Sequence, residues 1–376
     1  MAGVKGLRRP VTRGRYGAAE VVVKPDGKVT AMGYRIGVLG ATGLVGEVLL
    51  GILEERDFPV DDLRAFASER SKGRRIAWRG GEVALEVPAE ARFRDLDLVF
   101  TAAGSDVARE WVPRIRAEGP VVVDNSSAFR QEPDVPLVIP EINAHALEDH
   151  DGLIANPNCT ATTALMAVAP LHRAAGVRAM VTSAYQSVSG TGRKAMQELL
   201  DQTRKTIDQT EGLRGRERLD APAPEVYPHP IAFNVFPQCE AFPPGEDTST
   251  EEAKMEAESR KILEHPALVA HATSVRVPVV VGHAVSVALS LDRPMAPEEA
   301  RRLLSGFPGV RVVDDPERGE YPTAQEAAGI DETLVGRVRA NPAMEHGLSL
   351  FVCQDNLRKG AALNNVHIAE ALGGSS

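Results

Sequence analysis

Two units, a parallel doubly wound α/β sheet and then an α+β domain, are predicted for this 376-residue chain by three observations. A glycine-rich turn joins a short apolar strand to an amphipathic helix near residue 40. Strands and helices then alternate to about residue 157. Beyond it come longer polar loops, a charged helical stretch and β-branched runs. With 43% hydrophobic and 25% charged residues, the composition is that of an ordinary globular protein with room for two cores.

The first strand covers Arg35 to Leu39 of "YRIGVLGATGLVGEVLLGILEER", and Val45, Val48, Leu49 and Ile52 recur at helical spacing after the turn. Further strands are expected in "LRAFAS" (63–68), "LDLVFTAA" (96–103) and "PVVVDNS" (120–126), with the helix "SDVAREWVPRIRAEG" between the last two. In the second unit, polar loops at 212–230 and 243–250 precede the helical "STEEAKMEAESRKIL". The run "SVRVPVVVGHAVSVALSL" reads as strand, and a closing helix carries Leu363, Val366, Ile368 and Leu372 and stops at Gly373. The first 33 residues lack a clear period and are expected to be a flexible extension or the product of an upstream start.

Charge and cysteine usage narrow the function. A net charge of -9, from 43 basic and 52 acidic residues, gives no surface for nucleic acid. No run approaches the roughly 20 apolar residues of a membrane span, and no secretory signal is visible. Cys159, Cys239 and Cys353 are odd in number and without C-x-x-C spacing, which predicts a reducing cytoplasm, and the scattered histidines suggest no metal site.

Three motifs carry chemistry. Gly40-x-x-Gly43-x-x-Gly46 at a strand-to-helix junction is a variant dinucleotide fingerprint, in which glycine admits a pyrophosphate to the backbone and the helix N-terminus supplies N–H donors; a plain glycine turn is the competing reading. Where an NAD site carries an acidic residue after its second strand, this chain reads "FASERSKGRR". Ser68, Arg70, Ser71, Lys72 and Arg74 suit a 2′-phosphate and favour NADP, although Glu69 is present and solvated surface charge is the alternative. Cys159 follows Asn-Pro-Asn at the start of a small-residue helix, where the dipole lowers a thiol pKa; a buried, inert cysteine is the alternative. His283 follows Gly282 in an apolar run and is either a core side chain or the base of a Cys/His pair.

The ordered motifs "GATGLVG", "SERSKGR", "VVVDNSSAFR", "LVIPEIN", "IANPNCT", "YQSVSGTG", "PIAFNVFP", "ESRKIL", "RVPVVVGH" and "DNLRKGAALN" resemble those of the aspartate-semialdehyde dehydrogenases, from about Tyr34 to Leu372. The resemblance implies a Rossmann-like NADP domain at 34–157 and 355–376 and a catalytic and dimerisation domain at 158–354. It implies reversible reductive dephosphorylation of 4-aspartyl phosphate to aspartate 4-semialdehyde, in the route to lysine, diaminopimelate, threonine, methionine and isoleucine. Cys159 is then the nucleophile, His283 its base, and Gln186 orients the acyl centre. Arg276 takes the substrate carboxylate and Glu251 its ammonium, while Arg130 and Lys254 hold phosphate beside Asn125. The cofactor residues implied are Gly40, Thr42, Gly43, Leu44, Val45, Ser68, Arg70, Ser71, Ser189, Gly190 and Asn356.

Surface charge is the alternative for Arg130, Glu251 and Lys254, and a local Glu251/Lys254 pair competes with their roles. The chain departs from many relatives at Ala161, where "NPNCTT" is common, and in its basic N-terminal extension. A homodimer, sometimes a tetramer, is implied. An N-acetylglutamyl-phosphate reductase is the nearest enzyme alternative and a silent nucleotide-sensing relative the non-enzymatic one. The motifs "DNSSAFR" and "YQSVSGTG" and the spacing of Arg276 and His283 speak against the first, and the retention of both Cys159 and His283 against the second.

Overall fold

The computed structural model describes residues 21–23, 29–31, 33–212 and 219–373; the expectation for the remainder of the N-terminal extension falls outside the described residues. Within that extension β1 (Val21–Val23) and β2 (Val29–Ala31) pair antiparallel.

The first unit contains β3 (Tyr34–Leu39), α1 (Leu44–Glu55), β4 (Val60–Phe66), β5 (Arg75–Trp78), β6 (Gly81–Glu86), β7 (Leu98–Thr101), α2 (Ser105–Ala117), β8 (Val121–Asp124), α3 (Pro140–Asn143) and β9 (Leu153–Ala155). Their order in the sheet is β5-β6-β4-β3-β7-β8-β9, parallel throughout except for the β5/β6 edge hairpin. The central strands read as continuous apolar runs because both faces are covered: Ile36, Val38, Val99 and Phe100 are inaccessible to solvent. Gly46 is required where α1 meets its own turn, since a Cβ there would lie 2.3 Å from the Gly40 carbonyl oxygen.

The second unit contains α4 (Cys159–Ala175), β10 (Val177–Gln186), α5 (Arg193–Thr206), α6 (Thr250–Ile262), β11 (Val269–Arg276), β12 (His283–Leu291), α7 (Pro297–Ser305), β13 (Val310–Val312), α8 (Ala324–Ala327), β14 (Thr333–Asn341) and β15 (Gly347–Gln354). They form a mixed six-stranded sheet, β11-β10-β12-β15-β14-β13. Helix α4 has almost no polar face and is buried from Thr160 to Leu171, packing with α6 and α7 against the sheet; a helix apolar all round belongs inside a core. A π-helical turn, Arg358–Ala362, then leads into α9 (Leu363–Leu372), whose Leu363, Val366 and Ile368 join Leu49, Ile52 and Phe100 in the core of the first sheet.

Two expectations need correction. The run from Ser274 to Leu291 is two strands, broken at 277–282: Pro278 has no N–H for a ladder, and Gly282 takes φ 96° with its Cα so close to the Ala324 carbonyl oxygen that a Cβ would sit 2.3 Å away. His283 therefore opens a strand instead of lying inside one. The closing helix also begins with the π turn, shown by Gly360 N–H to Asp355 O and Ala362 N–H to Leu357 O bonds five residues apart.

Candidate active site

Strand pairing brings three of the candidate residues to one end of the second sheet. Gln186 ends β10 directly beside Arg276, the last residue of β11, and His283 opens β12, whose next residue Ala284 pairs with Tyr185. Cys159 opens α4 and points back at this edge, with its Sγ 3.3 Å from His283 Nε2. The helix start is fixed by Asn158, whose side-chain oxygen accepts hydrogen bonds from the N–H groups of Thr160 (2.8 Å) and Ala161 (3.2 Å).

The site opens into a cavity of about 620 Å³ between the two sheets. Its walls include Asn125, Arg130, Cys159, Gln186, Ser189, Gly190, Glu251, Lys254, Arg276 and Asn356, together with Val45 and Gly104 from the first unit. Gly40, Thr42, Gly43 and Leu44 form the turn behind Val45 and do not line this cavity; Ser68, Arg70 and Ser71 lie beyond the end of β4, also outside it.

A nicotinamide dinucleotide fits what this chain offers. Helix α1 follows β3 with Gly43 as N-cap and α2 follows β7 with Gly104 as N-cap, and neither cap supplies a side-chain acceptor, so the first N–H groups of two helices stay open at neighbouring strand ends. Arg70 is exposed and has no ion pair among the described residues, whereas Lys72 is engaged by Glu90.

The charged residues are held in specific pairs. Arg130 is buried and donates from Nε to Asn156 O (2.8 Å), from Nη2 to Asn125 O (2.9 Å) and from Nη1 to Glu258 (3.1 Å). Glu258 also accepts from the Asn158 N–H at 2.6 Å. Glu251, one side of α6 and two turns earlier, accepts from Asn158 Nδ2 (3.0 Å to each oxygen), Gln186 Nε2 (2.8 Å) and Thr160 Oγ1 (3.3 Å). Lys254 pairs with Glu240 rather than with Glu251, so the local helix pair considered from the sequence does not form. Arg276 donates from Nη1 to Ser187 O (2.7 Å) and stacks 5.6 Å above the Tyr227 ring; its buried Nε has no partner among the described residues.

The expected low thiol pKa is the third correction. Burial, then the Glu251 charge, pushes the Cys159 thiol up to about 12 against the opposing pull of Arg130, Thr160 and Arg276. Burial and the Arg276 charge push His283 down to about 3. A helix terminus is worth about 0.3–1 kcal/mol, and desolvation outweighs it even though Cys159 is only half-buried at the cavity wall. Both shifts favour the neutral thiol–imidazole pair.

Sequence reasoning missed several residues. Asn158 carried a helix N-cap signal, and Glu258 stands seven residues after Glu251 on the same helix. Nothing local marked Ser187, Tyr227 or Glu240. Gly360, on the π turn, lies so near Cys159 that a Cβ there would be 2.9 Å from Cys159 Cβ. Gly360→Ala is therefore expected to cost about 1–3 kcal/mol of stability and, by shifting Cys159, about 10²-fold in kcat; thermal melts and steady-state rates of the variant check both.

Two family models match the chain: semialdehyde dehydrogenase, NAD binding domain, over residues 35–150, and semialdehyde dehydrogenase, dimerisation domain, over residues 168–359. The chain is 44% identical over 345 residues to the aspartate-semialdehyde dehydrogenase of Aquifex aeolicus, covering 91% of this chain and 98% of the relative. The chain belongs to the aspartate-semialdehyde dehydrogenase family. A Streptomyces akiyoshiensis member is 45% identical over 339 residues, covering 89% and 97% of the two chains. Among solved structures of the family, aspartate semialdehyde dehydrogenase II from Vibrio cholerae superposes with TM-score 0.83 at 36% identity, over 90% of this chain and 98% of that one; a second structure of it, complexed with ASA, matches equally at 91% and 98%.

Proposed function

We propose that this chain interconverts aspartate 4-semialdehyde and 4-aspartyl phosphate with NADP and phosphate through a thioester on Cys159. The observation that carries the reading is the 3.3 Å approach of Cys159 Sγ to His283 Nε2 at a cavity also bounded by Arg276 and Glu251.

In the oxidative direction the Cys159 sulfur forms a bond to the aldehyde carbon as its proton passes to His283 Nε2, giving a thiohemiacetal. Bound NADP supplies the acceptor for the hydride leaving that carbon. Phosphate oxygen then adds to the thioester carbonyl, Cys159 thiolate departs, and the acyl phosphate is released. Arg276, with its unpartnered Nε, holds the substrate carboxylate, and Glu251 Oε2, with one lone pair unused, holds the ammonium. Gln186 orients the acyl carbon beside Cys159. Arg130, beside Asn125, and Lys254, once it exchanges Glu240 for the ligand, bind phosphate.

Gly40, Thr42, Gly43, Leu44 and Val45 carry the cofactor pyrophosphate, and Ser68, Arg70 and Ser71 its 2′-phosphate, with Ser189, Gly190 and Asn356 at the nicotinamide end. The first domain is then 34–157 with 355–376 and the second 158–354, a division supported by the start of α4 at Cys159 and by the packing of α9 on the first sheet.

A homodimer through the outer face of the second sheet is the favoured assembly: Val181, Tyr185 and Val269 stand exposed on that face, and Phe351 packs beside Tyr185. No helix among the described residues is long and apolar enough to cross a membrane, and three free thiols fit a cytoplasmic enzyme.

Purified protein given aspartate 4-semialdehyde and NADP is expected to form NADPH only when phosphate is present, and faster with NADP than with NAD. Turnover independent of phosphate, or with N-acetylglutamate semialdehyde instead, would overturn the reading.

A further inference from the structure

Arg276 is a buried cation held without a carboxylate. It is 5% exposed and forms no ion pair among the described residues, although a charge taken out of water needs compensation. What holds it is one carbonyl, Ser187 O at 2.7 Å from Nη1, and the face of the Tyr227 ring, 5.6 Å from the guanidinium carbon. Arg130, on the same cavity wall, is secured differently: Glu258 and two carbonyls occupy its Nη1, Nε and Nη2. An aromatic face attracts a cation through its quadrupole but offers no oxygen acceptor. The buried Nε of Arg276 is accordingly left without a partner among the described residues.

Tyr227 is itself fixed at its hydroxyl, its ring edge and the backbone before it. The hydroxyl donates to Thr191 Oγ1 at 2.9 Å, in the turn that Ser187 opens. The ring meets Phe236 edge-on at 5.5 Å, and Phe236 exchanges two backbone hydrogen bonds with Arg276, at 2.9 and 3.2 Å. Just upstream, the N–H groups of Glu225 (2.8 Å) and Val226 (2.6 Å) donate to Glu198 on α5. The loop after α5 is thus fastened so that Tyr227 lies on the cavity wall with the guanidinium over its ring. Gly190 closes in as well, since a Cβ there would lie 3.5 Å from Arg276 Nη1.

We propose that Tyr227 is a positioning residue for the substrate carboxylate: its ring face, in place of a carboxylate partner, holds Arg276 while leaving N–H donors to meet the substrate. An Asp or Glu in that place would compete with the substrate for the same N–H groups, whereas the ring does not. The consequence is selectivity for an amino aldehyde that carries an α-carboxylate over one that lacks it. The inference rests on Arg276 being the carboxylate site of the proposed reaction.

The test is steady-state kinetics of the full-length enzyme with NADP, phosphate and aspartate 4-semialdehyde, using 3-aminopropanal, the same aldehyde without its carboxylate, as competitor. Wild type is compared with Tyr227→Leu, Tyr227→Met, Tyr227→Phe and Arg276→Leu. Loss of the ring in Tyr227→Leu or Tyr227→Met is expected to raise KM for the semialdehyde about 5- to 30-fold, with kcat and the Ki of 3-aminopropanal little changed. Either variant serves if the other does not fold. Tyr227→Phe, which keeps the ring and loses the Thr191 bond, should restore most of the lost affinity. A Tyr227→Leu or Tyr227→Met enzyme with wild-type KM, or one whose KM and Ki rise together, would overturn the inference. Wild-type KM in Arg276→Leu would instead remove the Arg276 reading on which it stands.

Discussion

Cys159→Ser is expected to lower kcat by about 10⁴- to 10⁶-fold, the scale seen when the nucleophile of a covalent enzyme is lost. Serine keeps the size and the helix start, but its hydroxyl is a far weaker nucleophile and leaving group than sulfur. At the N-terminus of α4 desolvation outweighs the groups that favour the thiolate. Binding should survive, because the proposed partners of the substrate carboxylate and ammonium, Arg276 and Glu251, stand on β11 and α6 and not on α4. Steady-state kinetics with isothermal titration of the semialdehyde separates the two: a Cys159→Ser enzyme within tenfold of wild type would place the chemistry elsewhere.

The second large effect is on the fold. Glu258 is completely buried and anchors both the Arg130 guanidinium and the Asn158 N–H that starts α4. Burial pushes its pKa up, against the opposing pull of Arg130 and of the Asn158 bond. Removing the carboxylate in Glu258→Ala leaves an uncompensated guanidinium, which costs about 3–5 kcal/mol, and loosens the turn that presents Cys159. Glu258→Gln keeps an acceptor for Asn158 and should lose less. Urea unfolding of the two variants checks the order; equal stability of Glu258→Ala and wild type would show that water satisfies Arg130 there.

These residues show where the sequence was sufficient and where it was not. The strand, glycine turn and helix from Tyr34 to Glu55 were legible because local periodicity and a steric need for glycine at Gly46 agree with the tertiary structure. The start of α4 was legible for the same reason, Asn158 being a capping residue ahead of a small-residue run. The break before His283 was misread because β-branched residues on both sides hid the two punctuating residues, Pro278 and Gly282.

The thiol pKa was misread because a local rule, the helix dipole, was set against a burial that only the packed structure reveals. Glu258, Ser187 and Gly360 were out of reach for another reason: each meets Asn158, His283 or Cys159 across 96 or more residues of chain, through contacts that composition does not encode.

A thioester on Cys159 would show itself in a single-turnover experiment. Enzyme mixed with aspartate 4-semialdehyde and NADP in the absence of phosphate should give a burst of about one NADPH per active site, then stall, with the aspartyl mass on the Cys159 peptide after acid quench. Added phosphate should discharge it. Steady NADPH formation without phosphate and without a modified Cys159 peptide would rule the thioester out.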